Sequence, residues 1–139
     1  MSLPPGTLER LIAWYEGLTP ASLPAIRTFY SESARFRDPF NDLASRDAIE
    51  ALFAGMFLKL GNPRFVITET VAQDRAVFLT WTFHFTVRGR AMAIIGGSLL
   101  KFDAQGRVCD HRDYWDAAEE LYEKLPGIGT LLRLLKKCF

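Results

Sequence analysis

The feature that most constrains this chain is a change in the spacing of its apolar residues at Arg64. Upstream they recur every three or four positions, and downstream they alternate, which are the periods of an amphipathic helix and of a half-buried strand. Behind the breaker Pro4-Pro5-Gly6, Thr7 is placed to cap a helix over 7–18 in which Leu8, Leu11, Ile12, Tyr15 and Leu18 recur at helical spacing. A second helix is predicted over 22–31, burying Ile26, Phe29 and Tyr30. Residues 34–39 read as extended, because proline drives the residue before it, here Asp38, out of the α region. Ser45 or Asp47 then caps a helix over 46–60 whose Ile49, Leu52, Phe53, Met56, Phe57 and Leu60 form one apolar stripe, stopped by Gly61-Asn62-Pro63.

The alternating half predicts four strands at 65–71, 76–87, 91–102 and 108–115. Their connections, such as Arg88-Gly89-Arg90, are of hairpin length, which makes the sheet antiparallel. In the second of these strands Leu79, Trp81, Phe83 and Phe85 share one face, and Thr80, Thr82, His84 and Thr86 share the other. Gly96-Gly97 lies inside a strand, so it is read as a bulge or bend rather than as a phosphate loop. Asp116 and Glu119 mark the start of a last helix, broken at Pro126-Gly127 and resumed near Thr130. Helices first and sheet afterwards predict an α+β fold with helices covering one side of a curved antiparallel sheet and a conical pocket between them.

Composition narrows the function. At 139 residues the chain suits one domain, 1–139, able to fold without disulfides or a structural metal. A net charge of +1 with dispersed basic residues argues against nucleic acid as a partner. Two cysteines, Cys109 and Cys138, and two histidines, His84 and His111, supply no metal-ligand spacing, and no nucleotide fingerprint is present, so neither metal nor cofactor is expected. The N-terminus lacks a signal-peptide pattern, and a soluble, cytoplasmic protein with reduced thiols is the expectation. The basic, apolar tail from Leu131 to Phe139 is read as folding over the pocket or a partner subunit, with membrane-surface contact as the alternative.

Three stretches carry a family resemblance: Tyr30-Ser31-Glu32-Ser33-Ala34-Arg35-Phe36-Arg37-Asp38-Pro39-Phe40, Ser45-Arg46-Asp47-Ala48-Ile49 and His111-Arg112-Asp113-Tyr114-Trp115-Asp116. Together they resemble the NTF2-like (cystatin-like) superfamily, with its SnoaL-like polyketide cyclases, ketosteroid isomerases and limonene-epoxide hydrolases. The resemblance implies a cone-shaped fold and a hydrophobic small-molecule ligand. It puts Asp38 where the isomerases carry a proton-shuttling aspartate, the enzyme that also serves as a general example of carboxylate tuning. The other reading of Asp38 is a turn residue bonding nearby backbone N–H groups. The isomerase's oxyanion-binding tyrosine aligns with Trp14, with Tyr15 about 100° further round the helix, and its protonated aspartic acid aligns with Ser98.

Asp113 resembles an aspartate of the epoxide hydrolases, although the other two members of that acid–base set fall at Trp81 and Phe83. His111 and Asp113, at i and i+2 on a strand, point to one face. That pair suits general acid–base work near neutral pH, or else it is a buried pair that satisfies itself. The candidate catalytic residues are therefore Asp38, His111 and Asp113. The candidate walls are Trp14, Phe53, Trp81, Phe83, Met92, Ile94 and Ser98. Two functions stay open: an isomerase, cyclase or hydrolase acting on a hydrophobic substrate, or a binding or interaction module without chemistry. The face with Thr80, Thr82 and His84 is predicted to form a two-fold homodimer.

Overall fold

The computed structural model describes residues 2–116; the predicted last helix and the basic tail lie outside them. Among the described residues the elements run α1 (Thr7–Glu16), a 3₁₀ turn (Leu23–Ala25), α2 (Ile26–Phe29), β1 (Tyr30–Arg37), β2 (Asp42–Leu43), α3 (Arg46–Lys59), β3 (Gly61–Gln73), β4 (Ala76–Val87), β5 (Arg90–Phe102) and β6 (Val108–Tyr114). The six strands form one sheet in the order β2-β1-β6-β5-β4-β3. Helices and sheet meet in a core that includes Leu11, Ile26, Tyr30, Ile49, Leu79 and Leu100, all almost fully buried.

Several sequence expectations change. The sheet is mixed rather than antiparallel, because β1 runs parallel to β6, with Phe36 opposite His111 and Arg37 opposite Arg112. Connection length governs only strands joined by hairpins, and β1 reaches β6 across most of the chain, so no local rule reports its direction. The helix expected over 22–31 is only a 3₁₀ turn and one turn of α-helix, since Tyr30 and the polar residues after it are recruited into β1. Gly6, at φ +82°, rather than the Thr7 side chain, starts α1. Ser45 does cap α3, its hydroxyl accepting from the Ala48 N–H at 3.1 Å. The stop signal Gly61-Asn62-Pro63 lies already within β3, which tolerates proline because β3 is an edge strand and its register shifts between Gly61 and Arg64.

The alternation in β4 holds. Leu79, Trp81 and Phe85 are buried on the helix side, and on the other side the Thr68 and Thr80 hydroxyls bond across strands at 2.6 Å. No bulge occurs at Gly96-Gly97, where β4 and β5 pair in continuous register. The glycines instead make room for rings. A Cβ at Gly96 would stand 2.6 Å from the Trp81 ring, and one at Gly97 would stand 2.6 Å from the Phe78 ring. Trp81 can therefore pack close against Gly96 of β5 while its indole N–H reaches Ser98. Gly96→Val is expected to destabilise the fold by about 1–3 kcal/mol through overpacking against Trp81, read as a lower denaturation midpoint with an unchanged slope.

Candidate active site

Strands β5 and β6 pair Ser98 with Asp113 and Leu100 with His111, which puts the two candidate residues of β6 on the helix side of the sheet. A line of hydrogen bonds runs through them. The Trp81 indole N–H donates to Ser98 Oγ at 2.9 Å, and the Ser98 hydroxyl donates to Asp113 Oδ1 at 2.5 Å. His111 Nε2 stands 2.7 Å from the same Oδ1. On the other side of the ring, His111 Nδ1 lies 2.6 Å from the Tyr30 hydroxyl, which in turn lies 2.5 Å from the Tyr15 hydroxyl.

The direction of this chain follows from its donors. With His111 neutral, Nε2–H donates to the Asp113 carboxylate, Nδ1 accepts from Tyr30 O–H, and Tyr30 accepts from Tyr15 O–H, so every hydrogen is used. A proton added to the imidazole reverses the second half. Nδ1–H then donates to Tyr30, Tyr30 to Tyr15, and the Tyr15 O–H is released. Burial, the largest cause, pushes the ionisation of Tyr15 well above the ordinary tyrosine range, and the Asp113 charge adds to it. Burial does the same for Tyr30, reinforced by Tyr15 and Asp113. Both phenols therefore stay protonated and act as donors.

Two cavities meet at Asp113. A narrow one of about 30 Å³ is lined by Tyr15, Ser98, His111 and Asp113 among apolar side chains of Phe53, Phe65, Ile67, Leu79 and Trp81. A roomier one of about 300 Å³ shares Phe53, Phe65, Trp81 and Asp113 with it, and adds Phe83, Ile94, Phe36 and Trp115 as walls. Its remaining sides come from Asp38 and from Leu52, Gly55, Met56, Lys59 and Leu60 of α3 and the residue after it. The Asp113 side chain is 16% exposed against 6% for His111, so of this pair the carboxylate is the group that reaches open space.

Asp38 reaches this wall while fulfilling its turn role. Its Oδ1 accepts from Phe40 N–H at 2.8 Å and from Asn41 N–H at 2.7 Å, and the Asn41 side-chain amide bonds both oxygens. Burial raises its ionisation above the usual carboxylate range, against the lowering by these bonds, and Asp113 raises it further.

The other sequence candidates divide. Phe53, Trp81, Phe83, Ile94 and Ser98 line one or both cavities. Trp14 lines neither: its indole N–H donates to the Ser22 carbonyl at 3.0 Å and its ring stacks on Phe29. Met92 is buried in the core, away from both cavities. Tyr15, one position along α1, takes the place expected of Trp14, because that residue step of about 100° is decided by how the helix packs. Sequence reasoning also missed Tyr30, Trp115 and further lining residues such as Phe36, Phe65, Gly55 and Lys59. Tyr30 appeared there as an apolar helix residue and as the first residue of a family-resemblance stretch, and no local pattern announces that its hydroxyl meets His111.

Among the described residues, no group of three or more His, Cys, Asp and Glu side chains is arranged to hold a metal ion. No described helix is long and apolar enough to cross a membrane.

Comparison with known proteins agrees with this architecture. Residues 11–111 match the family model of the SnoaL-like domain, and the chain belongs to that family. No curated protein matches its sequence. Among solved structures it is similar to an NTF2-like protein of unknown function from Burkholderia pseudomallei, at 18% identity and a TM-score of 0.72, covering 84% of this chain and 95% of that one. An LEH-like epoxide hydrolase of M. tuberculosis aligns with a TM-score of 0.72 at 16% identity, over 91% and 94% of the two chains. A SnoaL-like polyketide cyclase from Jannaschia aligns with a TM-score of 0.70 at 14% identity, over 81% and 85%. At these identities the likeness is one of fold.

The buried tyrosine pair has a consequence in alkali. Both phenols hold their protons in the folded state beyond the ordinary value of 10.0, so the folded protein binds protons that the unfolded chain releases. Their contribution is fully present below that value and is lost progressively as pH rises from it through the higher folded-state values. Chemical denaturation should show stability falling steeply above about pH 10, and less steeply in Tyr15→Phe. At neutral pH, Tyr30→Phe should cost more than Tyr15→Phe, because it strands both neighbours, at about 1–3 kcal/mol for each buried group left unsatisfied.

Proposed function

We propose that this SnoaL-like protein uses its own side chains for acid–base catalysis on a hydrophobic small molecule held in the cavity of about 300 Å³. The observation that carries the reading is the hydrogen-bond chain from Tyr15 to Asp113, whose carboxylate end opens into an apolar cavity. Asp113 takes the proton from the substrate. His111 orients its carboxylate and balances its charge, and Ser98 holds Oδ1 from the other side. Tyr15 is the donor for an oxygen that gains negative charge, its O–H being released toward the narrow cavity when His111 is protonated. The chemistry this suits is removal of a proton next to a carbonyl, the first step of an isomerisation or cyclisation.

Asp38 remains a candidate, but its bonds to Phe40 and Asn41 give it a turn to hold, so the larger share of proton transfer is assigned to Asp113. The assignment can be tested by following exchange of the α-hydrogens of apolar ketones in D₂O. Asp113→Asn should lower the exchange rate by about 100-fold or more while the ketone still binds, and Asp38→Asn should lower it less. Ketones that bind wild-type protein without any accelerated exchange would favour a binding module instead, a reading to which the self-satisfied His111–Asp113 pair lends support.

We also propose that a second copy of the chain covers the outer sheet face. That face carries Val66, Val71 and Phe78, all substantially exposed, beside Thr80, Thr82 and His84. Hydroxyl and apolar groups in such a mixture suit an isologous contact better than open water. Light scattering should give twice the monomer mass at micromolar concentration, and Phe78→Lys should reduce it to the monomer.

A further inference from the structure

Gly55 stands in the middle of the 14-residue helix α3, where glycine is the poorest helix former after proline. Neither usual reason for it applies. Its backbone is not in the left-handed region, and a Cβ built there would meet no atom within 4 Å apart from its own neighbours and the backbone of its own stretch of helix. Its position on the helix supplies a reason. Taking the core residue Phe53 as the reference direction and 100° per residue, Met56, Leu52 and Lys59 follow in turn round one side, and Gly55 comes after them. All four line the cavity of about 300 Å³, so Gly55 and Lys59 stand where the helix wall gives way to the outside.

Charge is sorted along the same path. Asp38 and Asp113 lie in the lining with the aromatic walls, and Lys59, itself exposed, is among the described residues the one cationic side chain in that lining. A carboxylate is repelled by the half-buried Asp38 and Asp113 and attracted to the exposed Lys59, whereas an apolar body gains by leaving water for the aromatic walls.

Resting on the reading of this cavity as the ligand site, we propose that Gly55 and Lys59 form its doorway. Gly55 sets the width of the opening, and Lys59 orients an amphiphilic acid that enters apolar end first and leaves its carboxylate at the rim. On this account the missing side chain at position 55 is a specificity determinant that helix stability alone would disfavour.

The test is calorimetric titration with decanoate, 1-decanol and decyltrimethylammonium ion, each below its micelle concentration, on wild type, Gly55→Ala, Gly55→Leu and Lys59→Glu. Wild type should favour decanoate over the ammonium ion by about threefold or more, the size of an exposed charge contact. Lys59→Glu should reverse that order. Gly55→Leu should weaken all three ligands by about tenfold or more, with Gly55→Ala intermediate, while the thermal midpoints of both variants equal or exceed that of wild type.

This combination of greater stability with poorer binding is what a doorway gives and a packing position does not. Binding by Gly55→Leu at the wild-type level would overturn the role of Gly55, and so would binding by Gly55→Ala at that level if the leucine variant fails to fold. An order of preference unchanged in Lys59→Glu would overturn the orientation. Either result leaves the cavity as a ligand site, whereas a wild-type protein that binds none of the three would remove that reading and the doorway together.

Discussion

The bond between the Tyr30 hydroxyl and His111 Nδ1 joins residues 81 positions apart and sits where β1 and β6 run parallel. It ties the helical half of the chain to the sheet at the strand pairing that, among the described residues, no hairpin imposes. Tyr30 has no exposed surface and His111 very little, so each polar atom there must find its partner inside the protein. The relative placement of α1, β1 and β6 follows from that demand: Tyr15 must reach Tyr30, Tyr30 must reach His111, and His111 must reach Asp113. A shift of one residue in β1 or β6 would turn Phe36 or His111 to the other face and leave several buried groups without partners.

The same constraint prepares the site. Because the chain is satisfied from Trp81 to Tyr15, its members are held in place before any ligand arrives, and of its ionisable groups the carboxylate of Asp113 is the one that reaches roomy space. The aromatic walls do two things at once. They exclude water, which strengthens every charge interaction inside, and they leave the tyrosines too poorly hydrated to ionise. Gly96 is part of this arrangement, since the Trp81 ring needs its bare backbone in order to aim the indole N–H at Ser98.

Asp38 and Trp14 show how a resemblance and a structure can each be partly right. The resemblance brought Asp38 to the cavity wall, and the turn chemistry read from Asp-Pro is present there as well. A side chain can do both because one oxygen carries most of the turn's bonds. Trp14, expected in the wall, faces elsewhere while Tyr15 lines the narrow cavity, since on a helix one residue is a different face. The indole found the Ser22 carbonyl, and Tyr15 was left to meet Tyr30.

The sequence by itself determined the α+β order of elements, the faces of β4, the start of α3 at Ser45 or Asp47 and the convergence of His111 and Asp113 on one side of the sheet, because each depends on local spacing. It also carried enough of the SnoaL-like pattern to identify the family. Only the tertiary structure decided that β1 runs parallel to β6, that Tyr15 rather than Trp14 faces the site, that Tyr30 is a strand residue bonded to a histidine, and that Gly55 opens onto the cavity. These depend on contacts between segments far apart in the chain. Local periodicity reports which face is apolar, while the partner across that face is set by the packing of the whole.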